Sequence, residues 1–153
     1  MSVIFRDLDR AECEALLARN HVGRIAFSFK DRVDIQPIGY VYEGDWLSGR
    51  TEEGAKLETV QHSPWVAFEV DEVEGPYDWR SVVIRGTVYL MHEGSPDHAE
   101  TAAAIRKVIP DAFSPSDPAP HRTVLFRIYA RDMTGRLASS RGEPKASNAT
   151  PGS

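Results

Sequence analysis

A single cysteine, Cys13, in 153 residues excludes an intrachain disulfide, and a lone thiol offers no metal-ligand spacing. It lies among helix formers and reads as a buried structural thiol rather than a reactive one. Long apolar runs are also missing: nothing approaches the ~20 residues that cross a bilayer. The start, Met-Ser-Val-Ile-Phe-Arg-Asp, lacks the basic residues and apolar stretch of a signal peptide, so no membrane partner and a cytoplasmic location are expected. There is no surplus of positive charge. Lys and Arg number 18 against 23 Asp and Glu, for a net charge of −5 and a pI near 5.5. That argues against nucleic acid as a partner, because its binders carry a basic footprint. A local positive pocket stays compatible with the total. The five histidines are scattered without an i,i+4 pair, so no metal site is expected, and no Gly-x-Ser-x-Gly elbow marks a hydrolase. No internal repeat stands out.

What is present is ordinary for one globular domain, 41% hydrophobic and 27% charged. The length allows a real core without disulfides. A first helix is expected over 9–20, with Asp9 as N-cap, Glu12 completing a capping box, and Leu8, Ala11, Ala15, Leu16 and Ala18 as its apolar face. The period then changes to two. Strands are expected over 21–29, 33–43, 46–50, 65–71, 79–92 and 123–134. Pro37 places the second of these at a sheet edge or on a bulge. A helix over 52–62 with Thr51 as N-cap, and another from Ser95 and Pro96 to about 109, connect and cover the strands. The stretch 110–120 holds four prolines and is a loop. The domain is expected to end near 139, with 140–153 a disordered tail. Six strands joined mostly by hairpins predict a mainly β fold, a six-stranded antiparallel barrel that closes its exposed edges. A Greek-key sandwich is the alternative.

Two stretches could carry chemistry. Arg50-Thr51-Glu52-Glu53-Gly54-Ala55-Lys56 joins a strand end to a helix start, where free amides and the helix dipole suit a phosphate. Thr51 adds a hydroxyl, Arg50 and Lys56 add two charges, and Gly49 and Gly54 keep the backbone accessible. Locally, the same residues also read as an ordinary cap with solvated cations, and Glu52 and Glu53 would repel an anion. Trp79, Arg80 and Ser81 at a strand start could line a flat heteroaromatic ligand, or be edge packing. Ile38, Gly39 and Tyr40, after Pro37, could bring bare backbone against a planar ring.

Taken together, His21-Val22-Gly23-Arg24-Ile25-Ala26-Phe27, Pro37-Ile38-Gly39-Tyr40-Val41-Tyr42, Gly54-Ala55-Lys56-Leu57, Val66-Ala67-Phe68-Glu69-Val70-Asp71, Trp79-Arg80-Ser81-Val82-Val83-Ile84-Arg85-Gly86 and Met133-Thr134-Gly135-Arg136 resemble the pyridoxamine 5′-phosphate oxidase-like flavin-binding split-barrel family. The likeness spans about 8–137 and is strongest to the branch of nitroimidazole-resistance-type proteins. It implies a Greek-key-like split barrel, a homodimer, and FMN in a groove between subunits, with FAD or haem as alternatives. By position it implies that Arg50, Thr51 and Lys56 hold the cofactor phosphate. Ile38, Gly39 and Tyr40 would edge the flavin ring, and Trp79, Arg80 and Ser81 would help line its pocket, from the same chain or from the partner subunit. It further implies a flavin-dependent oxidoreductase acting on a small molecule, with NADH or NADPH as a candidate donor, or else a flavin or haem carrier or sensor without turnover. The family's pyridoxamine phosphate oxidases end in Arg-Leu-x-Pro. Arg136-Leu137-Ala138-Ser139 lacks the proline, which speaks against vitamin B6 oxidation.

Overall fold

The computed structural model describes residues 2–55, 57 and 64–142. Strand β1, Ile4–Leu8, leads into helix α1, Arg10–Arg19. The capping box forms as expected: Glu12 N–H donates to the Asp9 carboxylate at 2.8 Å, and Asp9 N–H donates to the Glu12 carboxylate at 3.1 Å. The buried face differs, however. Cys13, Leu16 and Leu17 point inward, whereas Ala11 and Ala18 are exposed, because small alanines lose to larger apolar groups when the helix settles on a sheet.

Strands β2 (Val22–Phe29) and β3 (Arg32–Gly39) form a hairpin through Lys30 and Asp31, both in left-handed backbone. β3 is an edge strand, which accommodates Pro37. After Tyr40 come β4 (Val41–Glu43) and β5 (Trp46–Thr51), joined by Gly44 and Asp45 at positive φ. β6 (Trp65–Gly75) and the long β7 (Asp78–Met91) pair along almost their whole length. α2 (His98–Arg106) precedes β8 (Val124–Tyr129) and β9 (Asp132–Ser139). The ladder order is β3-β2-β6-β7-β8-β5-β4, with β9 beside β7 and β1 beside β9. β7 belongs to both halves: its residues 79–85 pair with β9 and 88–91 with β8. The sheet stays open between β3 and β4, and the fold is a split barrel.

Among the described residues nine strands therefore stand where six were expected, β1 being additional and two expected runs each dividing in two. The run 33–43 breaks at Tyr40, whose N–H donates to the His21 carbonyl at 2.9 Å. The run 123–134 breaks at Ala130, whose N–H donates to the Asp45 carbonyl at 2.7 Å. Alternation continues through both breaks, so period alone does not reveal them. α2 is shorter than expected. Ser95 accepts from His92 N–H in a turn, and Asp97 takes the N-cap in left-handed backbone without a side-chain cap. Residues 52–55 are turn and coil rather than helix, with Ala55 N–H donating to the Glu52 carbonyl at 3.3 Å. The rest of the expected 52–62 helix, apart from Leu57, lies outside the described residues, as does 143–153. Ser140 is tied down by Asp78 through its N–H and hydroxyl.

Two apolar clusters hold the fold. The barrel interior packs Ile25, Phe27, Leu47, Phe68, Ile84, Phe126 and Ile128 with the buried face of α1. On the outer side, Val41 of β4, Met91 of β7 and Leu125 of β8 pack against Ala102 and Ile105 of α2 and Ala112. Residues of β5 that face outward are consequently covered by α2 and the loop after it, and this covering creates the site.

Candidate functional site

The seam of the split barrel is built on two glycines. A Cβ on Gly49 would lie 2.4 Å from the Phe126 ring and 2.7 Å from the Gly39 carbonyl oxygen. Gly49 thus lets β5 press against the β3–β4 junction, and although buried it is one of the residues that line the adjoining cavity. Beside this seam a cavity of about 260 Å³ opens between β4, β5, α2 and the proline-rich loop. Gly39, Tyr40, Ser48, Arg50, Ile109 and Arg122 are among its lining residues.

Of the residues expected here, Gly39, Tyr40 and Arg50 meet at this cavity. Ile38 is buried in the barrel core and is not part of the lining. Tyr40 is fixed at both ends. Its hydroxyl donates to the Leu17 carbonyl at 2.7 Å, its ring meets Phe68 edge-on at 5.0 Å, and burial pushes its pKa well up. It is a wall rather than a proton donor. Thr51 is buried at the end of β5, paired with Val124. Lys56 lies outside the described residues.

Arg50 has a partner that the sequence alone does not disclose. Its guanidinium donates two parallel hydrogen bonds to Asp117, at 2.6 and 2.8 Å, and the two side chains are 5% and 3% exposed. The Asp117 carboxylate also accepts from Phe113 N–H at 2.7 Å and Ala119 N–H at 2.9 Å. The Arg50 guanidinium holds the Asp117 pKa far below the ordinary carboxylate range, with the two backbone donors assisting against the pull of burial. Phe113 sits in left-handed backbone, its ring centroid 5.2 Å from the Arg50 guanidinium and 5.4 Å from that of Arg106. The loop 110–122 is thereby strapped across β5.

Trp79 and Arg80 line a different cavity, of about 470 Å³, with Arg19, Glu72, Ser139 and Arg141. The two cavities share no lining residue. Trp79 donates its indole N–H to the Pro76 carbonyl at 3.2 Å and packs near Phe5. Ser81 turns instead toward Glu69, donating at 2.9 Å. On that outer sheet face Arg24 lies 3.5 Å from both Glu69 and Asp71. Burial, and then the hydrogen bond shared with Asp71, raise the Glu69 pKa.

Asp117, Arg122 and His21 also belong to the site and escape sequence reading. Asp117 and Arg122 sit in the proline-rich stretch, which reads only as loop. His21, just before β2, carries no spacing signal.

A family model described as pyridoxamine 5′-phosphate oxidase matches residues 9–137, and the chain belongs to that family. It is 28% identical to a FAD-binding protein of Mesorhizobium loti, over 90% of this chain and 99% of that one, with a TM-score of 0.72. It is 28% identical to the FAD-binding protein of Mycobacterium smegmatis, over 87% of this chain and 98% of that one, at a TM-score of 0.65. An uncharacterised protein of Rhizobium meliloti (strain 1021) is 26% identical, over 87% of this chain and 95% of its own. Among the described residues, no helix is long and apolar enough to cross a membrane.

Proposed function

We propose that this protein binds a flavin nucleotide, FMN or FAD, at an interface between two copies, and serves as a flavin-dependent oxidoreductase for a small molecule, with NADH or NADPH as electron donor. The carrying observation is the cavity at Gly39, Tyr40 and Arg50, in a chain of this family. Its walls are mostly apolar, and no acid among the described residues lines it. That suits an uncharged ring system with an anionic tail. At about 260 Å³ it is below the range of about 300–1,000 Å³ usual for ligand pockets, so it would seat part of a flavin and leave the rest to an adjoining surface.

A second copy could supply that surface. From Val22, in the cavity's lining, the face of β2 and β3 runs past Arg24 to Ile35 and Val33, and the three apolar side chains are 60%, 64% and 83% exposed, a surface of the kind that marks an interface. Trp79 and Arg80, which line the other cavity, would then approach it from the partner. FAD stands beside FMN because two structures 28% identical to this chain are FAD-binding proteins. A bound flavin supplies hydride and electron transfer, while the protein contributes position, a dry wall and charge. Tyr40 orients the wall, Ser48 offers a hydroxyl, and the strap closes off water on the α2 side. Pyridoxamine phosphate is not the proposed substrate, because Ser139 replaces the proline of the family's C-terminal signature.

The test is the absorption spectrum and native mass of the purified protein, with and without added FMN and FAD. Flavin bands at one flavin per protomer in a dimer, bleached anaerobically by NADH or NADPH, are expected. A colourless protein that takes up neither flavin overturns the proposal, and flavin that no nicotinamide reduces leaves a carrier.

A further inference from the structure

We infer that Arg122, at the rim of the 260 Å³ cavity, is the residue that holds the ligand's phosphate, and that the Arg50–Asp117 pair acts only by positioning it. This rests on the flavin reading above for the identity of the ligand, though not for the charge of the site.

Charge at the cavity singles out Arg122. Two arginines are among the residues that line the cavity, Arg50 and Arg122. Arg50 faces a carboxylate that neutralises it and occupies the place an anion would take. A phosphate could reach the end of Arg50 only by expelling Asp117, leaving a buried carboxylate without its cation, and such a charge is strongly disfavoured. Arg122 differs in both respects. It is exposed, and its guanidinium makes no hydrogen bond or ion pair with any described residue. Among the described residues it is the cation of this lining without a counter-charge, and no acid stands in the described lining, in a chain whose net charge is −5. Such a site attracts anions locally against the sign of the whole protein.

The backbone shows how Arg122 is held there. The Asp117 carboxylate accepts from Ala119 N–H at 2.9 Å, and the Ala119 carbonyl accepts from Arg122 N–H at 3.1 Å. One residue later Thr123 N–H donates to the His121 carbonyl at 3.2 Å, and the chain enters β8 at Val124. Arg50 thus fixes Asp117, Asp117 fixes the turn at 119–122, and the turn presents Arg122. Arg50 is a positioning residue, and the arginine that meets the phosphate lies 72 positions further along the chain.

The experiment measures dissociation constants for FMN and riboflavin by flavin fluorescence in the wild type, Arg122→Ala and Arg122→Lys. Because residue 122 is exposed, the variants should keep the wild-type fold, which circular dichroism checks. Arg122→Ala should weaken FMN at least about tenfold, the scale of a charged hydrogen bond, and riboflavin less than about twofold. Arg122→Lys should recover most of the loss. Equal losses for the two flavins, or none for FMN, overturn the inference. A wild type that binds neither flavin overturns the flavin reading, and inorganic pyrophosphate then decides the anion site independently. Amide shifts at Gly39 and Gly49 that appear with pyrophosphate in the wild type and vanish in Arg122→Ala uphold it. Shifts that persist in the variant, or never appear, overturn it.

Discussion

Replacing Gly49 by alanine tests the packing that makes the site. The added Cβ would meet Phe126 Cζ at 2.4 Å and Cε1 at 2.7 Å, and the Gly39 carbonyl oxygen at 2.7 Å, where ordinary contacts begin near 3.4 Å. One neighbour is a ring with no exposure at all, and the other is backbone. Neither is the loose end of a flexible side chain, so the strand must move by several tenths of an ångström in a close-packed interior. Overpacking of this kind costs about 1–3 kcal/mol. Gly49 does not have the positive φ that would add strain, and alanine returns about 0.4–1 kcal/mol by restricting the unfolded chain. With both neighbours rigid, the net loss should fall near 1.5–2.5 kcal/mol, a fall in Tm of roughly 3–10 °C for a domain of this size. Thermal and urea unfolding measure it. Adding Phe126→Leu should make the double variant less destabilised than the sum of the singles, because the shorter side chain vacates the clash. A Gly49→Ala protein within 1 °C of wild type would refute the seam as described, on the scale of about 2–4 °C per kcal/mol.

Two titrating groups give predictions of opposite sign. The Asp117 pKa is depressed by Arg50, so its contribution is fully present above the unfolded carboxylate value of about 4 and fades as pH falls below it. Asp117→Asn should therefore lower the urea midpoint at pH 7, with a deficit that narrows below pH ~4; a deficit unchanged at low pH contradicts the buried pair. The Glu69 pKa is raised, first by burial and then by Asp71. The folded state therefore prefers its protonated form, and stability is lost as pH rises through the folded value. Glu69→Gln should raise the urea midpoint at pH 7 and lose its advantage near pH 4; a less stable variant at pH 7 would show that Arg24 outweighs Asp71.

Legibility from sequence followed the range of the interactions. The capping box of α1 was fully readable, because Asp9 and Glu12 are three residues apart and the hydrogen bonds are local. The split-barrel class was readable from strand periods and the family likeness. The breaks at Tyr40 and Ala130 were not, since each is made by a backbone bond to a residue distant in sequence, His21 or Asp45. Thr51 as a helix cap failed for a related reason: it pairs with Val124 of β8, and the chain leaves it as a turn. The least legible residue was Asp117. An aspartate among prolines and serines gives no sign of its partner, and only the fold brings it to Arg50, 67 positions away. Reading Arg50 as a free cation was natural without that contact.

The geometry of β7 bears on why the expected residues divide between two cavities. Arg80 pairs with Leu137 of β9, whereas the β8 ladder that leads to β5 begins only at Val88. Eight residues of extended chain span about 26 Å, and Arg50 lies two strands beyond, opposite Leu125, which itself pairs with Met91. A strand that bends between the two half-sheets shortens this path without removing it. A shorter way runs past the end of α1: Arg80 pairs with Glu72, whose carboxylate accepts from the Asn20 amide at 2.8 Å, and the next residue, His21, lines the Arg50 cavity. Glu72, held by Arg19 and Asn20, stands between the two cavities, so one ligand touches both sets either by passing Glu72 within one chain or by taking the second set from another copy. Monomeric protein with full flavin affinity would refute an interface site and leave one chain to hold the flavin.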